Sequence, residues 1–258
     1  MTKSFHCKNK RNHYKKRVAS LEHKEYKASM SGFTFKQFTI KHDRCAMKVG
    51  TDGVLLGAWA QGGKRILDIG TGSGLIALMM AQRFPEAHVT GIEIDESAAT
   101  QAKENAASSI YGNRIDIQNI SLQEFNTSGL FDSITCNPPF FEESLRCPDI
   151  KRDTARHTES LPYSTLLEHS HKLLTPDGTL NLILPASVLP RIEYECAFAS
   201  MFIIRKVFIR TTGSKPPKRM LLSISNKPAY QEEPITVHLM DGGNRSEWYN
   251  RLTSEFYL

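Results

Sequence analysis

The chain has 258 residues, 40% hydrophobic and 23% charged, enough to bury a full core in one large domain or two small ones. No apolar run approaches the length of a bilayer span, and the first residues lack the apolar centre of a secretory signal. The five cysteines (Cys7, Cys45, Cys136, Cys147, Cys196) form no C-x-x-C pair, which argues against a disulfide scaffold or a zinc site and for free thiols in the cytoplasm.

The net charge of +6 is unevenly placed. Residues 1–30 hold nine Lys/Arg and two Glu, a net of +7, while 24 basic and 25 acidic residues remain in 31–258, a net of −1. This first stretch has no helical or strand period, so disorder is expected. It reads as an electrostatic arm for phosphate backbones, as a solvated tail, or as sequence upstream of a start at Met30.

Ordered sequence is expected from Gly32, where Phe33, Phe35 and Phe38 mix with polar residues. Thr51 or Asp52 is a good N-cap for a short apolar helix from Val54 to Ala60. That segment either packs as a capped helix or brings Lys48 and Thr51 near a cofactor; sequence physics leaves both open.

Lys64 to Gly74 then reads as a strand, a glycine-rich turn and the start of a helix. Glycines let the backbone pass close to a nucleoside, and the helix N-terminus offers free N–H groups. The spacing of Gly70, Gly72 and Gly74 is G-x-G-x-G, whereas a dinucleotide turn has G-x-G-x-x-G. Asp68, two residues ahead, suits an ammonium group better than a pyrophosphate. A ligand with a cationic amino-acid end and an adenosine end, S-adenosylmethionine, fits this pattern.

A second strand, His88 to Asp95, ends in acids, with Glu93 placed 19 positions after Gly74, near the spacing of a carboxylate that accepts ribose hydroxyls. Strand alternation does not separate Glu93 from Asp95. After a helix from Ser97 to Ala107 comes a third strand, Arg114 to Ile120, whose end carries Asn119 and Ser121, either of which could face an adenine. The fourth strand, Phe131 to Cys136, runs into Asn137-Pro138-Pro139-Phe140. Two prolines stop both strand and helix, so the turn is stiff and presents an amide, a free carbonyl and an aromatic ring. Asn137 and the Pro138 carbonyl can each accept one N–H of an exocyclic amine while Phe140 stacks on its ring. Parallel pairing with right-handed crossovers brings the first and fourth strands together at the switch point, so both turns open onto one crevice.

Phe141 to Tyr163 has no clear period, holds Arg156 among other basic residues, and reads as a substrate-facing lid. Ser164 to Leu174 is expected as a helix, Gly178 to Leu184 as a fifth strand, and Ser187 as the start of another helix. Strands from Met201 to Arg210 and from Met220 to Ser225 flank a loop with Lys215, Lys218 and Arg219, close to Arg205, Lys206 and Arg210. This is the best basic patch of the body; a charged hairpin tip guarding sheet edges would look the same. Ile235 to Met240 is expected as a last strand and Arg245 to Phe256 as a final helix.

Taken together, Phe33 to Phe38, the block Met47 to Trp59, the turn Asp68 to Gly74, Glu93 and Asn137 to Phe140 resemble the bacterial tRNA adenine-N6 methyltransferases that modify valine tRNA beside the anticodon, at position 37. The resemblance runs from about Gly32 to the closing Phe256-Tyr257-Leu258. It implies one class I methyltransferase domain over 31–258, an α/β Rossmann-like fold with a seven-stranded, mostly parallel sheet whose last strand is antiparallel. It also implies that Asp68, Gly70 and Gly72 line the cofactor, Glu93 holds its ribose, and Asn137 with Phe140 holds the target adenine. The segment before Met30 lies outside the resemblance, and Ser121 stands where relatives tend to have an acid against the cofactor's adenine. The expected partner is tRNA, bound through Phe141, Arg156, Arg210, Lys215, Lys218 and Arg219, with no metal, no membrane and a monomeric chain. Rival readings are methylation of a ribosomal guanine N2, a DNA adenine or a protein glutamine, and a non-catalytic RNA-binding protein.

Overall fold

The computed structural model describes residues 32–139, 161–229 and 233–258. The basic stretch up to residue 31, Phe140, Phe141, Arg156 and most of the expected lid lie outside them. A hairpin of β1 (Gly32–Thr34) and β2 (Thr39–Lys41) comes first, followed by α1 (Thr51–Trp59), β3 (Arg65–Ile69) and α2 (Leu75–Arg83). Then come β4 (His88–Glu93), α3 (Glu96–Ala107), β5 (Ile115–Asn119) and β6 (Phe131–Cys136). The second half supplies α4 (Tyr163–Leu173), β7 (Leu174–Pro185), α5 (Leu189–Phe198), β8 (Phe202–Thr212) and β9 (Arg219–Ser225). It closes with β10 (Ile235–Asp241), β11 (Asn244–Arg245) and α6 (Glu247–Thr253).

The main sheet has the order β11-β10-β8-β9-β7-β6-β3-β4-β5. β3 pairs in parallel with β4 on one side and β6 on the other, so the chain reverses its direction of growth between β3 and β6. β9 runs antiparallel to both β7 and β8. The seven strands from β3 to β9 thus form the expected mostly parallel sheet with the seventh antiparallel. β10 joins β8 in parallel and β11 turns back on β10, which makes nine strands rather than seven.

Strands at the centre are covered on both faces, so they read as apolar runs. Ile66 packs into a cluster with Leu55, Met79 and Tyr249, from α1, α2 and α6. Its neighbours Leu67 and Ile69 pack oppositely, with Leu166 of α4 and Ile192 of α5. α1 is buried all round because it lies between α2, α6 and β7; Val54, Leu55 and Leu56 are consecutive and all fully buried. Two glycines four residues apart bring α1 down onto α2. A Cβ on Gly53 would sit 3.0 Å from Leu75 Cδ2, and one on Gly57 would sit 2.7 Å from Met79 Sδ.

α1 starts one turn earlier than its sequence suggests. The extended residue that caps it is Gly50, with no side-chain cap, and Thr51 and Asp52 lie inside the first turn. Their side chains are therefore not spent on capping. The Phe33–Phe38 hairpin is clasped by the last residues: the Lys36 N–H donates to Phe256 O at 2.8 Å, and Phe35 stacks on Tyr257 with ring centroids 5.9 Å apart.

Candidate active site

The turn after β3 takes its form from three left-handed glycines, Gly70 (φ +66°), Gly72 (φ +56°) and Gly74 (φ +81°), a conformation that side chains resist. They divide the work. A Cβ on Gly70 would meet nothing within 4 Å, and one on Gly72 only Gly70 O at 4.0 Å. Both border a cavity of about 460 Å³ shared with Lys48, Thr51, Asp52, Thr71 and Asn137. Gly74 instead caps α2, and a Cβ there would touch Ala102 of α3 at 3.4 Å. It sets helix packing and does not border the cavity.

Asp68 is not positioned as its place in the motif suggests. Its side chain is fully buried, and its two oxygens accept the hydroxyls of Thr71 (2.6 Å) and Thr135 (2.8 Å). Burial pushes its pKa up to about 6, with the hydroxyl hydrogen bonds pulling the other way. This acid stands one layer behind the cavity and braces the turn, so direct contact with an ammonium group is not its position here. The cause is strand alternation: Asp68 shares a face of β3 with Ile66, pointing beneath α1 and α2.

The two acids at the carboxyl end of β4 separate cleanly. Asp95 is the N-cap of α3 and accepts the Ala98 N–H at 2.7 Å. Glu93 turns to the glycine loop, with Oε2 accepting the Gly72 N–H at 2.9 Å and Oε1 the Asp95 N–H at 3.0 Å. Asn119 is occupied, donating to the carbonyls of Glu93 and Ile94. Ser121 donates to Glu124 Oε2 at 2.7 Å in a short turn and does not border the cavity.

Asn137 follows β6 directly. Its Oδ1 is buried and accepts no hydrogen bond from the described residues, an unusual state for a buried amide oxygen. It borders the same cavity as Gly70 and Gly72. The two loops do meet, because Ile69 and Cys136 are register partners at the carboxyl ends of adjacent strands. The Cys136 thiol is buried and its pKa is raised, so it stays protonated and packs as an apolar group.

The basic patch resolves into separate parts. Arg205 lies over the Trp59 ring at 4.6 Å, while Lys206, one residue on and facing the other way, pairs with Glu193 at 3.4 Å. Arg210 donates to Gly213 O within the β8–β9 turn. Arg219 reaches α1, its Nε 2.8 Å from Asp52 Oδ2. Lys215 and Lys218 are the exposed cations of this turn. The turn lies at the edge of the sheet that bears Asn137, since Arg219 pairs with Pro185 at the end of β7 and Lys218 O accepts the Ala186 N–H. Sequence reasoning missed Asp52, Thr71 and Thr135 as members of the site. A hydroxyl three residues after the motif acid was the available signal for Thr71; the other two depend on partners far along the chain. Among the described residues no group of His, Cys, Asp or Glu is set to hold a metal, and no helix is long and apolar enough to cross a membrane.

Comparison with known proteins gives the family. Residues 48–202 match the family model for the methyltransferase small domain. A tRNA1(Val) (adenine(37)-N6)-methyltransferase of Bacteroides thetaiotaomicron is 46% identical over 231 residues, 88% of this chain and 97% of that protein. The protein of the same name from Mannheimia succiniciproducens is 43% identical over 236 residues, 90% of this chain and 96% of that one. In fold, the chain is similar to a crystal structure of a predicted O-methyltransferase from Agrobacterium tumefaciens, with TM-score 0.60 at 19% identity over 80% of this chain and 96% of the other. Near-complete coverage at this identity settles the membership: the chain belongs to the tRNA1(Val) (adenine(37)-N6)-methyltransferase family.

Proposed function

We propose that the chain transfers a methyl group from S-adenosylmethionine to N6 of adenine 37 in a valine tRNA, in the cytoplasm and as a monomer. The observation that carries the reading is Asn137 Oδ1, a buried acceptor with no donor among the described residues, in a residue that lines the same cavity as the glycine turn. The names of the relatives give the substrate. The residues fit the cofactor: Gly70 and Gly72 leave room where a side chain would stand, and Glu93 lies beside the turn for a ribose.

S-adenosylmethionine, when bound, supplies a methyl group already activated by a sulfonium that leaves as a neutral thioether. The protein's share is therefore alignment, and near-attack placement is worth about 7–11 kcal/mol. Asn137 Oδ1 and the Pro138 carbonyl accept the two N–H groups of the adenine amine. That draws its nitrogen out of conjugation with the ring and leaves a lone pair directed into the cavity. The amine reacts neutral, so no dedicated base is needed, and the proton leaves through Asn137, the Pro138 carbonyl or water. Phe140, by resemblance, stacks on the unstacked base and offsets part of the few kcal/mol that unstacking costs. Lys215, Lys218 and Arg210 meet the RNA, joined by Phe141 and Arg156 of the stretch read from sequence as a substrate-facing lid.

The test is nucleoside mass spectrometry after incubating the purified chain with S-adenosylmethionine and an unmodified valine tRNA transcript. One N6-methyladenosine per tRNA is expected, lost when adenine 37 is replaced by guanine. Methylation that persists on the guanine-substituted transcript would refute the assignment of position.

A further inference from the structure

An ammonium group entering the cavity needs an anion or several carbonyls to replace its water. Asp68 does not serve, since it is fully buried beneath the helices and does not border this cavity. Glu93 is turned to the N–H groups of Gly72 and Asp95 and does not border this cavity. Among the described residues that do, Asp52 is the sole carboxylate.

Asp52 is also built to face inward. It lies in the first turn of α1, whose N-cap is a glycine, and α1 is pressed toward the glycine loop by the close approach of Gly53 and Gly57 to α2. Arg219, 167 residues away on β9, donates from Nε to Oδ2 at 2.8 Å, and no other described residue bonds that carboxylate. A carboxylate has lone pairs for more than one donor, so Oδ1 stays available while the guanidinium fixes the group's orientation. Four residues earlier, Lys48 borders the same cavity and pairs with no carboxylate among the described residues. The rim therefore offers one anion and one cation, the complement of a zwitterionic amino-acid end.

We propose that Asp52, oriented by Arg219, receives the α-ammonium of the cofactor's amino-acid end, the place the glycine motif would give to Asp68. Arg219 is then a positioning residue for the cofactor as well as a cation at the RNA-facing edge. This inference rests on the reading that the chain binds S-adenosylmethionine.

The experiment is calorimetry of the full chain with two probes, S-adenosylhomocysteine and 5′-methylthioadenosine, which shares the adenosine and thioether but lacks the amino-acid end. Asp52→Asn is expected to weaken S-adenosylhomocysteine at least tenfold and leave methylthioadenosine within twofold. Arg219→Gln is expected to weaken S-adenosylhomocysteine about threefold, Arg219→Lys less, and Arg219→Gln to add nothing in the Asp52→Asn background. A wild-type chain that binds both probes with Asp52→Asn unchanged, or with both probes weakened equally, overturns the inference alone. A wild-type chain that binds neither overturns the cofactor reading and this inference with it. An Arg219→Gln effect undiminished in the Asp52→Asn background overturns the positioning role.

Discussion

The Thr135 hydroxyl donates to Asp68 Oδ1 at 2.8 Å, joining the strand that ends in the glycine turn to the strand that ends in Asn137. The other oxygen of the same carboxylate holds Thr71, inside the turn itself. One buried acid thus fixes the bases of both loops. Thr135→Val removes a donor from a fully buried carboxylate, which should cost about 1–3 kcal/mol. Urea unfolding at pH 7 measures this, and a change below about 0.5 kcal/mol would remove Asp68 from its bracing role.

The same acid makes stability depend on pH. With its pKa at about 6 in the fold against 3.8 for the ordinary group, native Asp68 keeps a proton that the unfolded chain has already released. Its contribution is full below pH 4 and is lost as pH rises toward 6, a displacement worth about 3 kcal/mol. Denaturant midpoints of wild type and Asp68→Asn across pH 4–7 should diverge over that window in this direction. Parallel curves would show that the carboxylate is ionised throughout.

Asn137→Ala removes an oxygen that has no hydrogen-bond partner among the described residues. Transfer should fall by about 10²- to 10³-fold or more, as for the loss of an aligned polar group at a reacting centre. Thermal stability should hold or rise, and cofactor affinity should stay within a few-fold. A drop in melting temperature together with abolished cofactor binding would make Asn137 structural.

Gly72→Ala places a methyl group where only Gly70 O lies near, but at φ +56°. The backbone cost should be about 1–2 kcal/mol. Cofactor affinity should fall by more than the loss of stability explains, because the methyl group projects toward the cavity. Calorimetry with S-adenosylhomocysteine, beside thermal melts, separates the two effects.

Lys215 and Lys218 stand exposed at the sheet edge that carries Asn137. Replacing both by Ala should weaken tRNA binding and lower the slope of log affinity against log salt by about 0.7–0.9 for each phosphate left without its cation. Cofactor affinity should not move. Filter binding over a salt series decides, and an unchanged slope would assign these lysines to edge protection alone.

The turns were legible because glycine and proline act on their own backbone: three positive φ values and a strand stopped by Pro138-Pro139 need no distant partner. What sequence could not separate, Glu93 from Asp95, was decided by a capping bond to Ala98. The burial of Asp68 was not legible because its hydroxyl partner Thr135 is 67 residues away, and Asp52 was missed because Arg219 is 167 away. The basic patch was overcounted where adjacent strand residues, Arg205 and Lys206, face opposite sides of the sheet and find Trp59 and Glu193. The two added strands gave a partial signal: Ile235–Met240 read as a strand, while the two residues of β11 are too few to show a period.

The clasp between the first hairpin and the last helix has a consequence for synthesis. Lys36 Nζ reaches the carbonyl of Ser254, 218 residues further on, and Phe35 finds Tyr257 at a similar distance along the chain. Pairings that remote close late. On the ribosome the clasp on the aromatic hairpin therefore cannot close until residues 254–257 have been made.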